Sequence, residues 1–202
     1  MGGDHALRIG VLALQGDVAE HAAAFSATLR ERLGEHPPVI AVRHADQLAG
    51  LDGLAVPGGE STTISRLIEK NGMRRPLLEF EGGIFATCAG MVLAASEIDD
   101  PRVRPLGLVE MTVARNAFGR QRESFELDLP VTGLGAPFHA VFIRAPIATR
   151  VGPGAVTLAA LDNGAVAVRQ GRHLALSFHP ELGADPRLHH LFLDGLLPVS
   201  RE

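Results

Sequence analysis

The sequence predicts a three-layer α/β fold, in which helices cover both faces of a mostly parallel β-sheet. In the first half of the chain, short apolar runs typical of buried strands alternate with segments whose apolar residues recur every three or four positions. Such alternation is typical of parallel sheets. After Pro101 the polarity alternates with period two, which predicts an antiparallel addition in the C-terminal half.

The parallel part begins with a strand predicted over residues 8–14, which is followed by an amphipathic helix. The apolar positions of that helix are spaced by four and three: Val18, Ala22, Phe25, Leu29 and Leu33. Further strands are predicted over residues 39–42, 54–56 and 84–87, and further helices over residues 62–70 and 89–96. These segments supply the core of the sheet and its two helical layers.

The C-terminal half is predicted to contain strands over residues 124–129, 165–169 and 173–178. Asp162-Asn163-Gly164 predicts a tight hairpin, and Gln170-Gly171 predicts a second turn. A terminal helix is expected after Pro186. Since no linker or repeat interrupts the chain, we expect one domain over residues 1–202 with its core at about residues 8–196.

Composition excludes several classes of function. A formal charge of −4 with no Trp, no Tyr and nine Phe disfavours a nucleic-acid partner. The first six residues lack the features of a signal peptide, and the most apolar stretch, residues 82–95, is shorter than the roughly 20 residues of a membrane-spanning helix. We therefore expect a cytoplasmic protein with no membrane partner. The single cysteine excludes an internal disulfide and a thiolate zinc site.

That cysteine, Cys88, lies between a predicted strand and a predicted helix, among the small residues Ala86, Ala89 and Gly90. This composition is typical of a sharp nucleophile elbow. A helix N-terminus also favours the reactive thiolate. A buried structural thiol remains the alternative, because free cysteine is among the most buried residue types.

His179 and Glu181 stand two positions apart where an apolar strand ends. Residues with this spacing share a face of an extended chain, so the carboxylate can orient the imidazole while the imidazole exchanges protons with a thiol. A half-buried histidine and a solvated acid are the alternatives. A lone cysteine at an elbow together with a late His-x-Glu is more specific than either part.

A glycine pair opens a predicted helix at Gly58-Gly59-Glu60-Ser61. The segment lacks the lysine and the glycine spacing of a phosphate-binding loop, and Glu60 would repel phosphate. A backbone N–H near Gly59 is predicted to complete an oxyanion hole with the N–H of Ala89. The alternative is a simple helix cap by Ser61 or Thr62.

The other histidines do not predict a metal site. His189 and His190 are adjacent, and neighbouring residues on a helix point about 100° apart, so both cannot face one ion. His21, beside Glu20 on the first helix, is expected to serve packing or a partner contact. We expect no metal and no cofactor.

Seven motifs occur along the chain in the same order as in one known family. They are Gln15-Gly16, Pro57-Gly58-Gly59-Glu60-Ser61-Thr62-Thr63, Thr87-Cys88-Ala89-Gly90, Arg115-Asn116-Ala117-Phe118-Gly119-Arg120-Gln121, Ser124-Phe125-Glu126, Phe142-Ile143-Arg144-Ala145-Pro146 and Phe178-His179-Pro180-Glu181. The chain closely resembles the glutaminase subunits of pyridoxal 5'-phosphate synthase. The elbow and the His-x-Glu are shared with the wider class I glutamine amidotransferases, whose fold is flavodoxin-like. The strings that indicate the subfamily are those at residues 58–63, 115–121 and 142–146.

The resemblance implies that Cys88 attacks the side-chain amide of L-glutamine, that His179 moves protons and that Glu181 orients His179. It also implies that a set of six residues contacts glutamine: Gly59, Glu60, Ser61, Arg115, Ile143 and Arg144. The expected partner is a separate synthase subunit, which uses the ammonia to build pyridoxal 5'-phosphate. The resemblance further implies a hetero-oligomeric ring complex and low activity before docking.

Two alternatives remain open from the sequence. A cysteine hydrolase related to small stress-response peptidases would share the elbow but draw its acid from early in the chain. A non-catalytic binding subunit would retain the scaffold without the reaction, although intact Cys88, His179 and Glu181 argue against it.

Overall fold

The structure is a computed structural model that describes residues 7–34, 37–115, 117–118 and 124–197. The residues at the start that were examined for a signal peptide lie outside these ranges. So do Asn116 and residues 119–121 of the arginine-containing motif.

Twelve strands and five α-helices are present in the described part of the chain. In chain order they are β1 (Ile9–Leu12), α1 (Val18–Leu33), β2 (Ile40–Val42), β3 (Gly53–Val56), α2 (Ser61–Lys70), α3 (Arg74–Leu78), β4 (Gly83–Thr87), α4 (Ala89–Ala94), β5 (Ala95–Ile98), β6 (Val109–Ala114), β7 (Ser124–Leu129), β8 (Phe138–Ile143), β9 (Ile147–Val151), β10 (Val156–Leu161), β11 (Gly164–Gln170), β12 (His173–Leu176) and α5 (Arg187–Leu196). Two 3₁₀ turns, Ala45–Leu48 and Pro180–Leu182, lie between them.

The main sheet has the strand order β2-β1-β3-β4-β12-β11-β9-β6-β5, with β10 paired to β11. The first five strands of this order are parallel, and β11, β9 and β6 add antiparallel pairings. β7 and β8 form a separate antiparallel pair. The parallel register between β12 and β4 aligns Leu176 with Thr87, so two segments distant in sequence end side by side.

The two faces of the sheet bury different side chains because successive residues of a strand point to opposite faces. Ala55 and Phe85 pack with α1 and α5 on one face. Leu54 and Ile84 pack with α2 and α4 on the other face. This alternation produces a helix–sheet–helix sandwich with one apolar core on each side of the sheet.

The predicted α/β class with a mostly parallel sheet and an antiparallel addition is confirmed. The hairpin at Asp162-Asn163 is also confirmed, since Leu161 pairs with Gly164. The helix predicted over residues 89–96 is wrong at its end. It stops at Ala94, because Ala95 is extended, with φ −61° and ψ 156°, and begins β5.

Within the described ranges, no helix is both long and apolar enough to cross a bilayer.

Candidate active site

Cys88 occupies a sharp turn between β4 and α4. Its φ of 48° and ψ of −104° are rare for a residue with a side chain. The turn is close to the neighbouring strand, and a Cβ atom at Gly90 would lie 2.0 Å from the carbonyl oxygen of Val56. Only glycine fits at this position, so the small residues predicted for a nucleophile elbow have a steric cause.

His179 comes beside Cys88 because it follows β12, the parallel neighbour of β4. The backbone N–H of Cys88 donates to the carbonyl of Leu176 at 2.8 Å, and that of His179 donates to the carbonyl of Val141 at 2.9 Å. His179 Nδ1 lies 2.7 Å from Oε1 of Glu181. The Cys88 thiol also faces the carbonyl oxygen of Ile143 at 3.7 Å.

Burial and hydrogen bonding act in opposite directions on this pair. Burial lowers the pKa of His179, but hydrogen bonds with Cys88 and Glu181 outweigh it and raise the pKa to about 10. Burial raises the pKa of Glu181, but hydrogen bonds from His179 and His21 lower it to about 2. The site therefore favours an ionised Glu181 carboxylate and a protonated His179 imidazole.

The predicted oxyanion residues lie on the loop after β3 and at the start of α4. Gly59 has a φ of 150°, and a Cβ atom there would lie 2.6 Å from Oε1 of Gln15. The same Gln15 oxygen accepts the N–H of Glu60 at 3.0 Å. The preceding Gly58 N–H donates to the Thr87 hydroxyl at 3.1 Å. Both flanking N–H groups of the loop are thus anchored to neighbouring elements.

Glu60 is the N-cap of α2, so the helix is not capped by Ser61 or Thr62 as the simpler alternative required. Its carboxylate accepts the N–H of Thr62 at 3.2 Å and that of Thr63 at 2.7 Å, along with both threonine hydroxyls. Burial raises the pKa of Glu60, but these hydrogen bonds lower it to about 2. Glu60 is therefore ionised across the neutral pH range.

Arg115 joins Glu60 to a second carboxylate. Its Nη2 lies 3.2 Å from Oε1 of Glu60, and its Nη1 lies 2.5 Å from Oδ2 of Asp100. Hydrogen bonds from Arg102, with Arg115 adding attraction, lower the pKa of Asp100. The guanidinium is consequently held between two anions at one side of the site.

These groups surround one cavity of about 440 Å³. Its lining includes nine residues that the sequence singled out: Gly59, Glu60, Ser61, Cys88, Ala89, Arg115, Ile143, Arg144 and His179. Glu181 is the exception and lies behind His179, buried against α1. A cavity of this size accommodates a small amino acid next to a thiol and an imidazole.

Sequence reasoning did not single out two acids of the site, Asp17 and Asp100. Asp17 lines the cavity, and its Oδ2 lies 3.4 Å from Nδ1 of His179. Its position after β1, at the carboxyl edge of a parallel sheet, is where ligands of such folds bind. Asp100 follows β5, a strand that the sequence analysis assigned in part to a helix.

Ligand atoms of Asp17, His179 and Glu181 lie within 4.8 Å of one another, which makes them a possible cation-binding group. The same His179 nitrogen already contacts both carboxylates, so hydrogen bonding accounts for this arrangement. His189 instead packs between aromatic rings, and His190 contacts Glu31 at 3.4 Å. The two adjacent histidines thus face different neighbours.

Comparisons with known proteins agree with this geometry. The SNO glutamine amidotransferase family matches residues 11–197. The pyridoxal 5'-phosphate synthase subunit PdxT of Methanosphaerula palustris is 64% identical over 94% of this chain and 97% of its own length. The subunit of the same name from Niallia circulans is 49% identical over 93% of this chain and 97% of its own length.

A solved structure described as a glutamine amidotransferase superposes with a TM-score of 0.83 at 49% identity, and it covers 93% of this chain and 98% of its own. The family match spans nearly all of the described chain, including both segments that form the cysteine and histidine side of the cavity. The chain therefore belongs to the SNO glutamine amidotransferase family.

Proposed function

We propose that this chain is the glutaminase subunit of a pyridoxal 5'-phosphate synthase, which hydrolyses L-glutamine to L-glutamate and ammonia. The names of the PdxT relatives, matched over nearly their full length, support the assignment. The observation that carries the chemistry is one cavity lined by Cys88, His179, Glu60 and Arg115. A nucleophile with its proton carrier thus faces groups suited to a zwitterionic amino acid.

In the proposed reaction, the sulfur of Cys88 attacks the side-chain amide carbon of glutamine. His179 donates a proton to the departing nitrogen, which leaves as ammonia, and a thioester remains on Cys88. His179 then takes a proton from water, the resulting hydroxide attacks the thioester, and glutamate is released. Glu181, 2.7 Å from Nδ1, keeps the imidazole in the required orientation and stabilises its protonated form.

The N–H groups of Gly59 and Ala89 are proposed to stabilise the oxyanion that forms in both steps. They belong to the two segments that flank Cys88 in the cavity wall. Removing one such donor from an acyl-transfer enzyme typically costs about a hundredfold to a thousandfold in kcat. The glycine at position 59 is supported by the close approach of Gln15, which leaves no room for a side chain.

Charge complementarity supports the proposed contacts to the amino-acid end of glutamine. The substrate carries a carboxylate and an ammonium group, and the cavity presents the Arg115 guanidinium next to the Glu60 carboxylate. Ser61, Ile143 and Arg144 complete the proposed glutamine-binding set. Arg115 and Glu60 form an ion pair with each other in this structure. In the complex, the substrate carboxylate would take the place of Glu60 beside Arg115, and the substrate ammonium would take the place of Arg115 beside Glu60.

The ammonia is proposed to pass to a separate synthase subunit, because this chain has a single lysine, Lys70, at the end of α2 and away from the cavity lining. A Schiff-base reaction on a sugar phosphate would need such an amine in the site. We further propose a cytoplasmic, ring-shaped hetero-oligomer and low glutaminase activity until the partner docks. We propose that the glutaminase reaction itself takes place within a single domain formed by this chain.

The test measures glutamate release from glutamine by this chain alone, with a pyridoxal 5'-phosphate synthase subunit added, and with Cys88→Ala in the same mixture. Release that needs both the partner and Cys88 supports the chemistry and the subunit role. Equal release without the partner supports a glutaminase for a different acceptor enzyme. No release under any condition contradicts the glutaminase proposal.

A further inference from the structure

His21 is the buried titratable residue that the proposed reaction does not use. It lies on α1, is fully buried, and packs edge-on against Phe85 with ring centroids 6.1 Å apart. The sequence left open whether His21 serves packing or a partner contact. Full burial removes it from any surface, but a packing role alone does not explain where its ring nitrogens lie.

The Nε2 atom of His21 lies between two groups that belong to the active-site segments. It is 2.9 Å from the hydroxyl oxygen of Thr87, the residue before the nucleophile. It is also 3.4 Å from Oε1 of Glu181, the oxygen that contacts His179. His21 Nε2 therefore contacts both Thr87, the residue before Cys88, and Glu181, the carboxylate proposed to orient His179.

The neighbours of Nε2 determine which nitrogen carries the proton. An ionised carboxylate only accepts hydrogen bonds, so the 3.4 Å contact between Nε2 and Oε1 of Glu181 is favourable when Nε2 carries the proton. The Thr87 oxygen accepts the N–H of Gly58 at 3.1 Å and has a second lone pair for Nε2–H. His21 Nδ1 is buried and has no hydrogen-bond partner among the described residues, so the polar contacts of the ring are made through Nε2.

The Glu181 carboxylate has hydrogen-bonding neighbours at only one of its two oxygens among the described residues. Its Oε2 atom is buried and has no hydrogen-bond partner in the described part of the chain. Its position thus depends on Oε1 and on the two histidines that face that oxygen. Loss of either donor leaves a buried carboxylate less compensated, which is costly for a charged group.

We propose that His21 is a positioning residue of this glutaminase, whose Nε2–H holds the Glu181 carboxylate and the Thr87 hydroxyl at the same time. The contact links three parts of the site: the triad carboxylate, the residue before Cys88, and, through Gly58, the loop that carries Gly59. The inference rests on the proposed function, because it assigns His21 a role in that same reaction.

The experiment compares His21→Phe with His21→Gln in glutamate release, with the synthase subunit present. Phenylalanine preserves the ring and its contact with Phe85 but removes the donor, whereas the glutamine amide can donate from near the position of Nε2. We expect His21→Phe to lower kcat about tenfold or more, because a hydrogen bond to a charged group is lost. We expect KM for glutamine to change less than about twofold, since His21 does not line the cavity.

His21→Gln should recover most of kcat, and thermal unfolding should show both variants folded. Thr87→Val and Thr87→Ser provide a second pair if His21→Phe does not fold. Valine removes the hydroxyl at similar shape and should lower kcat, while serine should retain it.

A positioning role requires kcat to follow the presence of the donor at position 21 and of the accepting hydroxyl at position 87. Wild-type kcat in folded His21→Phe would overturn the inference, and so would equal losses in His21→Phe and His21→Gln with Thr87→Val unaffected. If the wild-type chain shows no glutamate release that depends on Cys88, the proposed function fails, and this inference fails with it.

Discussion

The two sides of the cavity are built differently. On the side of the triad, Cys88, His179 and Glu181 are 8%, 5% and 7% exposed, and they extend directly from neighbouring strands of the main sheet. On the opposite side, the Glu60 side chain is 48% exposed and the Arg115 side chain 20%. That wall is held by ion pairs between segments that lie far apart along the chain.

We propose that this difference separates the residues that carry out the reaction from those that recognise glutamine. Buried groups with fixed partners preorganise the reacting atoms, and the low dielectric strengthens each of their electrostatic contacts. Exposed ion pairs are weak, so the pair between Arg115 and Glu60 can be replaced at low cost by contacts with a zwitterionic substrate. We call the side formed by Glu60 and Arg115 the recognition wall. We expect substitutions on the triad side to lower kcat and substitutions on the recognition wall to raise KM.

The largest effect is expected from Glu181→Gln, with Asp17→Asn as its matched control. Both acids contact Nδ1 of His179, but Glu181 is buried at 2.7 Å and Asp17 is partly exposed at 3.4 Å. Glu181→Gln should lower kcat on the order of a thousandfold or more, as expected when the residue that orients a catalytic histidine is lost. Asp17→Asn should have a much smaller effect in the same glutamate-release assay.

The reverse order, with Asp17→Asn the more damaging change, would favour an acid drawn from early in the chain. That arrangement is the one expected of the peptidase-related alternative. The pair of variants therefore tests the identity of the triad as well as its strength.

Acid should weaken the triad side through Glu181. Its pKa is lowered from 4.5 to about 2 in the fold, so its contribution to stability is present above pH 4.5 and is lost as the pH falls through 2. The loss is at most about 3 kcal/mol, because one pKa unit corresponds to about 1.4 kcal/mol. Urea unfolding of the wild type and Glu181→Gln should show a stability difference that narrows from pH 5 towards pH 3. A constant difference would show that Glu181 does not contribute in this way.

On the recognition wall, Arg115→Gln should raise KM for glutamine about tenfold, with kcat nearly unchanged. Arg102→Gln is the control, because Arg102 also pairs with Asp100, at 2.6 Å, but does not line the cavity. Steady-state kinetics with the synthase subunit present measure both constants. A fall in kcat for Arg115→Gln without a change in KM would contradict the proposal that this side of the cavity acts in substrate binding.

The smallest effect concerns the dual role of Glu60 as wall residue and helix cap. Glu60→Ala should lower the free energy of unfolding by about 1 kcal/mol, since the first N–H groups of α2 lose their acceptor. Glu79→Ala, which breaks only an exposed ion pair with Arg75, should have a smaller effect on the free energy of unfolding. Urea unfolding measures both variants, and equal costs would mean that the cap contributes no more than a surface ion pair.

Local sequence signals singled out the residues of the triad side more directly than those of the recognition wall. Strand ends and tight turns have such signals, as in the small residues around Cys88 and the spacing of His179 and Glu181, so these residues could be chosen as candidates without a structure. Arg115 has no such local signal, and its partner Asp100 follows β5, the first two residues of which were assigned to the preceding helix. A continuous apolar run does not by itself separate the end of a helix from a buried strand.

His21 shows a second limit of the sequence. Its spacing of four from Phe25 put it on the apolar face of α1, so burial could have been predicted. Its contacts with Thr87 and Glu181 could not, because they depend on how α1 packs over the ends of two strands. Long-range contacts of this kind are determined by tertiary packing.

The pairing of β4 with β12 affects how the chain folds during its synthesis on the ribosome. Cys88 emerges with the first half of the chain, whereas its partner strand and His179 are synthesised much later. At about 5–20 residues per second, several seconds of translation separate the two. During that interval one edge of β4 has no neighbour and the thiol has no imidazole. On the proposed mechanism, the nascent chain therefore gains a competent nucleophile only when β12 enters the sheet.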